Sequence, residues 1–167
     1  MNTLINLFKI YLGFFVENTV FSSIIYGIIF NIPVAIYFGI TSYLNVLLWV
    51  YLKNILNFDF LGLTNLRPST NLIIDCKIAT VAYKFSKYGM PSLHSIYTGY
   101  TLGFWYFHQK QNFNYGLFSL YLLVVCSRLY FNVHTLGQVI VGSIIGFICG
   151  YISYNFYNIS KNLINNL

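Results

Sequence analysis

Acidic residues are the scarcest feature of this sequence, whose 167 residues include only Glu17, Asp59 and Asp75. Charged residues of both signs make up 7% of the chain, whereas ordinary soluble chains carry about a quarter. So few charges cannot coat a soluble core of this size, so an ordinary soluble domain is excluded. Three scattered carboxylates also provide no cluster for a divalent metal. We therefore predict neither a metal site nor a cofactor.

Cysteine is equally scarce, with Cys76, Cys126 and Cys149 as the complete set. Their number is odd and none are spaced as CxxC, which argues against a disulfide framework and indicates packing residues or free thiols. The formal net charge is +6, yet the basic residues form no dense patch interleaved with aromatic side chains. Nucleic acid is therefore disfavoured as a partner, and an anionic ligand or anionic lipid head groups fit better.

Long apolar runs dominate what remains, since hydrophobic residues make up 57% of the chain. Runs of about 20 apolar residues are long enough to cross a bilayer. The sequence therefore predicts an all-α fold, a polytopic membrane helical bundle of five or six spans, as a single integral-membrane domain over residues 1–167. The strongest candidates are residues 34–56, 91–108, 115–130 and 135–157. Residues 3–31 form either one long crossing or two short ones, with Glu17-Asn18 as a possible break.

Three short motifs lie at the edges of apolar runs. The first is Lys53 with Arg67-Pro68, the second is the run of residues 87–95, and the third is Ser127-Arg128 with His134 and Gln138. Antiparallel alternation of the spans puts them all on one membrane face, because each motif ends one span or opens the next. Ionisable groups near a bilayer core are expensive and therefore usually functional. The motifs bring together Lys53, Arg67, Ser92, His94, Arg128 and His134.

The residue types in this cluster predict a phosphate site with acid–base capacity. Arginine presents a planar fork to phosphate oxygens, and lysine adds a point charge. The helix that opens near Pro91 adds backbone N–H groups and the positive end of its dipole. With no acidic cluster for a metal, one histidine can act as nucleophile and the other as acid.

These motifs resemble the type 2 phosphatidic acid phosphatase superfamily, metal-independent phosphatases whose membrane members are helical bundles. The resemblance covers roughly residues 50–150. Within the superfamily, two runs are most similar to the dolichyl diphosphatases: KYGMPSLHS and SRLYFNVHTLGQV. The second and third motifs are specific together.

The resemblance implies a role for each motif residue. His134 would attack phosphorus and carry a phosphohistidine, and His94 would protonate the leaving oxygen and then activate water. Gln138, one helical turn after His134, would orient its ring. Most of the superfamily has Asp at this position, and the chain resembles the dolichyl diphosphatases in having Gln. The remaining residues would hold the phosphate: Lys53, Arg67, Ser92, Arg128 and the backbone N–H near Leu93. Two departures from the family pattern are the long interval between Lys53 and Arg67 and the bulky Leu93.

The resemblance implies a hydrolase that converts a polyprenyl or dolichyl diphosphate to the monophosphate, in the endoplasmic reticulum with its site facing the lumen. Its partners are then the lipid-linked phosphate and the bilayer. Two alternatives stay open: a phosphatase of another lipid phosphate such as phosphatidate, and an inactive relative that binds lipid or scaffolds partners.

Two further features concern helix packing and the opposite face. Small residues recur at four-residue spacing in two runs, which predicts a close helix contact there: Ser95, Gly99 and Gly103 in one run, and Gly142, Gly146 and Gly150 in the other. His108 is predicted to anchor at the membrane face opposite the motifs.

Overall fold

The computed structural model describes residues 15–55, 89–110 and 112–166, which form five α-helices. The helices are α1 (Phe15–Ile29), α2 (Pro33–Ile55), α3 (Leu93–His108), α4 (Tyr115–Tyr130) and α5 (Leu136–Asn165). No strand occurs within these ranges, so the predicted all-α class is confirmed for the part of the chain described.

Short turns with left-handed residues join the helices within the described ranges. Asn31, with φ of 52°, lies between α1 and α2, and Pro33 takes the first position of α2, where its missing N–H costs nothing. Lys110, with φ of 56°, follows α3, and the Asn114 side chain caps α4 by accepting the Leu117 N–H at 3.0 Å. The intervals between the predicted spans, near Asn31 and between residues 108 and 115, therefore fall between helices among the described residues.

Two helices are long and apolar enough to cross a membrane, over Pro33–Lys53 and Leu136–Asn165. Phe15–Ile29 and Tyr115–Tyr130 are shorter apolar helices. Many large hydrophobic side chains on these helices are exposed, as expected for a surface that faces lipid rather than water.

Two predicted helix boundaries were wrong. The helix carrying His94 begins at Leu93 rather than at Pro91, because Ser92 adopts an extended conformation and acts as the N-cap. The last helix continues to Asn165 rather than ending at 157, since its polar tail contains neither proline nor glycine to stop it. Glu17-Asn18 lies within α1, and whether residues 3–31 form one crossing or two stays open because residues 1–14 lie outside the described residues.

Helices α3 and α5 run parallel and make the closest contact in the bundle. A Cβ added to Gly99 would lie 2.5 Å from the Ser143 carbonyl oxygen, and one added to Gly142 would lie 2.7 Å from that of Ser92. Added Cβ atoms at Gly146 and Gly150 would likewise collide with backbone atoms of α3. The predicted packing of the two small-residue runs is therefore confirmed.

An aromatic and hydroxyl core closes the end of the bundle away from the motifs. The Tyr100 hydroxyl lies 2.7 Å from both the Thr41 and the Ser153 hydroxyls, which joins α2, α3 and α5. Phe38 and Phe104 pack beside it with ring centroids 5.3 Å apart. This core fixes the three helices relative to one another, and thereby also the positions of their motif-bearing ends.

Candidate functional site

The motif residues within the described ranges lie at one end of the bundle. Lys53 is in the last turn of α2, Ser92 caps the start of α3, Arg128 is in the last turn of α4, and His134 precedes α5. All predicted site residues within the described ranges are buried: Lys53, Ser92, Leu93, His94, Arg128, His134 and Gln138. Arg67 lies outside the described residues, as does most of the predicted loop over residues 57–90.

Lys53 is joined to the second motif by a hydrogen bond. Its Nζ donates to the Pro91 carbonyl oxygen across 3.2 Å, and only 1% of the residue is exposed. The long interval between Lys53 and Arg67 therefore does not keep Lys53 away from the segment that carries Ser92 and His94. A buried ammonium group is retained at a high desolvation cost, which favours a role in binding negative charge.

The start of α3 presents a buried hydroxyl, that of Ser92. This side chain caps no backbone N–H, and its Oγ has no hydrogen-bond partner among the described residues although Ser92 is 0% exposed. The Ser92 N–H itself is occupied, since it donates to the Gln138 carbonyl oxygen at 3.1 Å. The N–H groups of the following first turn have no intrahelical acceptors. Buried donors at a helix N-terminus are suited to an anion.

Leu93 is buried, at 4% exposure, so this bulky residue is accommodated within the protein. Its position at the first residue of α3 leaves its backbone N–H among those without an intrahelical acceptor.

The turn between α4 and α5 fixes the distance between Arg128 and His134. The Arg128 carbonyl oxygen accepts the N–H groups of Val133 at 3.1 Å and of His134 at 3.4 Å. The Arg128 Nε donates to Ser127 Oγ at 3.1 Å, and that hydroxyl donates to the Val124 carbonyl at 2.6 Å. The Arg128 backbone is thus tied to His134, and its guanidinium is held by the neighbouring Ser127 hydroxyl.

His134 is oriented by Gln138. Gln138 Oε1 lies 3.1 Å from His134 Nδ1 and accepts the Thr135 N–H at 3.2 Å, while Thr135 Oγ1 accepts the Gln138 N–H at 3.3 Å. These last two bonds form a capping box at the start of α5.

The capping box also settles the tautomer of His134. A backbone N–H can only donate, so the amide atom facing Thr135 must be the oxygen of Gln138 rather than its nitrogen. The same oxygen faces His134 Nδ1, which must therefore carry the hydrogen. The neutral ring then has its lone pair on Nε2, the atom that a nucleophile needs.

Two features of the site were missed from the sequence. Thr135 and Gln138 have the T-x-x-Q spacing of a capping box, and that signal was available. Gly89, which packs against the Gln138 amide, carries no recognisable signal because its partner is distant in the chain.

His108 lies at the opposite end of the bundle, as predicted from the order of the spans. Its ring packs within 6.4 Å of four aromatic rings, those of Phe104, Trp105, Tyr154 and Tyr157. This position at the far end of α3 separates it from His94 and His134, which lie at the motif end of the bundle.

The sequence matches the PAP2 superfamily over residues 32–161, more than half of the chain and a range that contains every residue of the candidate site. Neither a curated protein nor a solved structure matches the chain. The superfamily resemblance predicted from the motifs is thereby confirmed. Its members are phosphatases, and membership suggests activity on lipid phosphates.

Proposed function

The chain belongs to the PAP2 superfamily, and on that premise we propose that it hydrolyses a polyprenyl or dolichyl diphosphate to the monophosphate without a metal. The observation that carries the proposal is the orientation of His134, whose Nδ1 faces Gln138 Oε1 at 3.1 Å and whose Nε2 holds the lone pair. The reaction proceeds through a phosphohistidine on that nitrogen.

In the first step, His134 Nε2 attacks the terminal phosphorus of the lipid diphosphate. An N–P bond forms as the bond between that phosphorus and the bridging oxygen breaks, and His94 donates a proton to the departing lipid monophosphate. In the second step, His94 takes a proton from water, whose oxygen attacks the phosphohistidine. The N–P bond breaks, inorganic phosphate leaves and His134 regains its lone pair.

The transferred phosphoryl group requires positive charge and directed donors more than covalent assistance. Lys53 and Arg128 supply fixed charge, and Ser92 supplies a buried hydroxyl that has no other partner in the described structure. The first turn of α3 adds its N–H groups, including that of Leu93. We assign Arg67 to the same phosphate on the strength of its motif.

The choice of a diphosphate lipid rests on Gln138 and on the runs that resemble dolichyl diphosphatases. The proposal extends to one integral-membrane domain with five or six spans, with its site facing the lumen of the endoplasmic reticulum. The two alternatives are hydrolysis of phosphatidate and a lipid-binding scaffold without catalysis. The following experiment distinguishes both from the proposed diphosphatase activity.

The test is phosphate release by the purified full chain in detergent, with dolichyl diphosphate, a shorter polyprenyl diphosphate and phosphatidate compared at equal concentration. We expect the diphosphates to be preferred and the rate to survive excess chelator. Faster hydrolysis of phosphatidate would establish the second substrate class. Strict dependence on magnesium would refute the mechanism.

His134→Ala and His108→Ala form a matched pair of histidine variants. We expect His134→Ala to abolish turnover and the acid-labile phosphoprotein that is trapped with radiolabelled substrate. His108→Ala removes a histidine from the aromatic end of the bundle and should retain most of the rate. A folded parent protein that releases no phosphate from any of the three lipids would favour the scaffold.

A further inference from the structure

The amide of Gln138 is enclosed by two segments that are distant in the sequence. On one side its Oε1 accepts the Thr135 N–H at 3.2 Å and faces His134 Nδ1 at 3.1 Å. Its backbone carbonyl accepts the Ser92 N–H at 3.1 Å. Gln138 therefore contacts both Ser92, just before α3, and His134, just before α5.

Gly89 packs against the other side of the Gln138 amide. A Cβ built on Gly89 would lie 2.6 Å from Gln138 Nε2 and 2.7 Å from Gln138 Cδ, and it would be closer still to Oε1. Real Cβ atoms do not approach other heavy atoms so closely, so a larger residue at this position requires the amide or the Gly89 backbone to shift. Gly89 and Gln138 are both buried, which leaves the amide little room to move aside.

Backbone conformation does not explain why residue 89 is a glycine. The φ angle of Gly89 lies outside the left-handed region, so an L-residue could adopt the same backbone there. What distinguishes the position is the absence of a side chain, and the space left by that absence is filled by the Gln138 amide.

We propose that Gly89 is a positioning residue for His134 and acts through the amide of Gln138. Without a side chain at Gly89, the amide can lie where Oε1 serves both Thr135 and His134. A methyl group at Gly89 pushes Oε1 away from His134 Nδ1, and the ring loses the partner that selects the Nδ1–H tautomer. Gly89 touches neither the phosphate nor the reacting atoms in this scheme.

The kinetic test, which rests on the proposed function, is a double-mutant cycle with Gly89→Ala and Gln138→Ala in the purified full chain. We expect each single variant to lower kcat by roughly 10- to 100-fold, the range seen when a partner that orients a histidine is removed, with KM little changed. The double variant should be no slower than Gln138→Ala, because the methyl group then has no amide to displace. Multiplied losses in the double variant would overturn the proposal.

Gly116→Ala is the matched glycine control. Gly116 is exposed in the first turn of α4, and a Cβ there would meet only Asn114 Oδ1 at 3.3 Å. We expect this variant to keep the parent rate. If Gly89→Ala fails to fold, folding of the double variant would still support a collision with Gln138, whereas failure of both would overturn it.

A spectroscopic test is independent of turnover. With isotope-labelled histidine, nuclear magnetic resonance reports which ring nitrogen of His134 carries the hydrogen, and His108→Ala and His134→Ala assign the signals. We expect the Nδ1–H tautomer in the parent and a mixture in Gly89→Ala. An unchanged tautomer in Gly89→Ala would overturn the inference. If the parent shows the Nδ1–H tautomer and Gly89→Ala the mixture, but the parent has no phosphatase activity, the proposed function is refuted and the inference about Gly89 stands.

Discussion

Lys53 Nζ donates a hydrogen bond to the carbonyl oxygen of Pro91 across 3.2 Å, which joins the last turn of α2 to the segment before α3. The contact is buried, and it connects a residue whose place in the family pattern was uncertain from spacing alone to the segment that holds Ser92 and His94. In the proposed site Lys53 would supply positive charge, and its hydrogen bond ties the end of α2 to the residues that precede α3.

Lys53→Met should lower kcat/KM by roughly 10- to 100-fold, since a hydrogen bond that involves a charged group contributes about 1.5–3 kcal/mol. Methionine keeps most of the length and apolar surface of lysine but removes the charge and the donor. Lys161→Met makes the same change at an exposed position near the end of α5 and should leave kcat/KM unchanged. Equal kinetics for the two variants would remove Lys53 from the site.

Gln138→Glu should move the acidic limb of the kcat/KM profile to higher pH, by roughly 1 to 3 units. The nucleophile must be neutral, and a carboxylate in place of the amide stabilises the imidazolium form of His134. A higher pH is then needed to free the Nε2 lone pair. Gln109→Glu makes the same substitution at the far end of α3 and should leave the limb in place. A limb that stays fixed in Gln138→Glu would show that Gln138 does not act on the ring.

Within the described residues, sequence pattern predicted α2 to α5 and the end of the bundle at which Lys53, Arg128 and His134 lie. The number of membrane spans and the place of Arg67 stay predictions. Proline and asparagine mark where α2 and α4 begin, and the alternation of spans places Lys53, Arg128 and His134 together. The start of α3 and the length of α5 were predicted less well, because an N-cap conformation and a polar helical tail have weak local signals. The contact between Gly89 and Gln138 was beyond prediction, since it depends on side-chain packing between segments far apart in the chain.

Gly146→Ala should destabilise the protein by about 1 to 3 kcal/mol, the usual range for overpacking. An added Cβ would collide with the Ile96 carbonyl oxygen and lie 2.8 Å from the Tyr100 backbone nitrogen, so α3 and α5 would have to separate. Thermal unfolding in detergent measures the change, and Gly116→Ala again serves as the control. The rate should fall as well, because α3 carries His94 and α5 carries Gln138. Unchanged stability in Gly146→Ala would show that α3 and α5 do not pack closely enough for a Cβ at residue 146 to collide with α3.

The two ends of α4 should be accessible from opposite sides of the membrane. Tyr130 is exposed at the end of α4 that meets the motifs, and Asn112 is exposed in the turn that precedes the helix. Starting from a variant in which Cys76, Cys126 and Cys149 are replaced by serine, Tyr130→Cys and Asn112→Cys are labelled separately in sealed vesicles with a membrane-impermeant thiol reagent. We expect each cysteine to react from one side only, and the two sides to differ. Reaction of both from the same side would contradict a crossing by α4, and with it the alternation of spans that brings the three motifs to one membrane face.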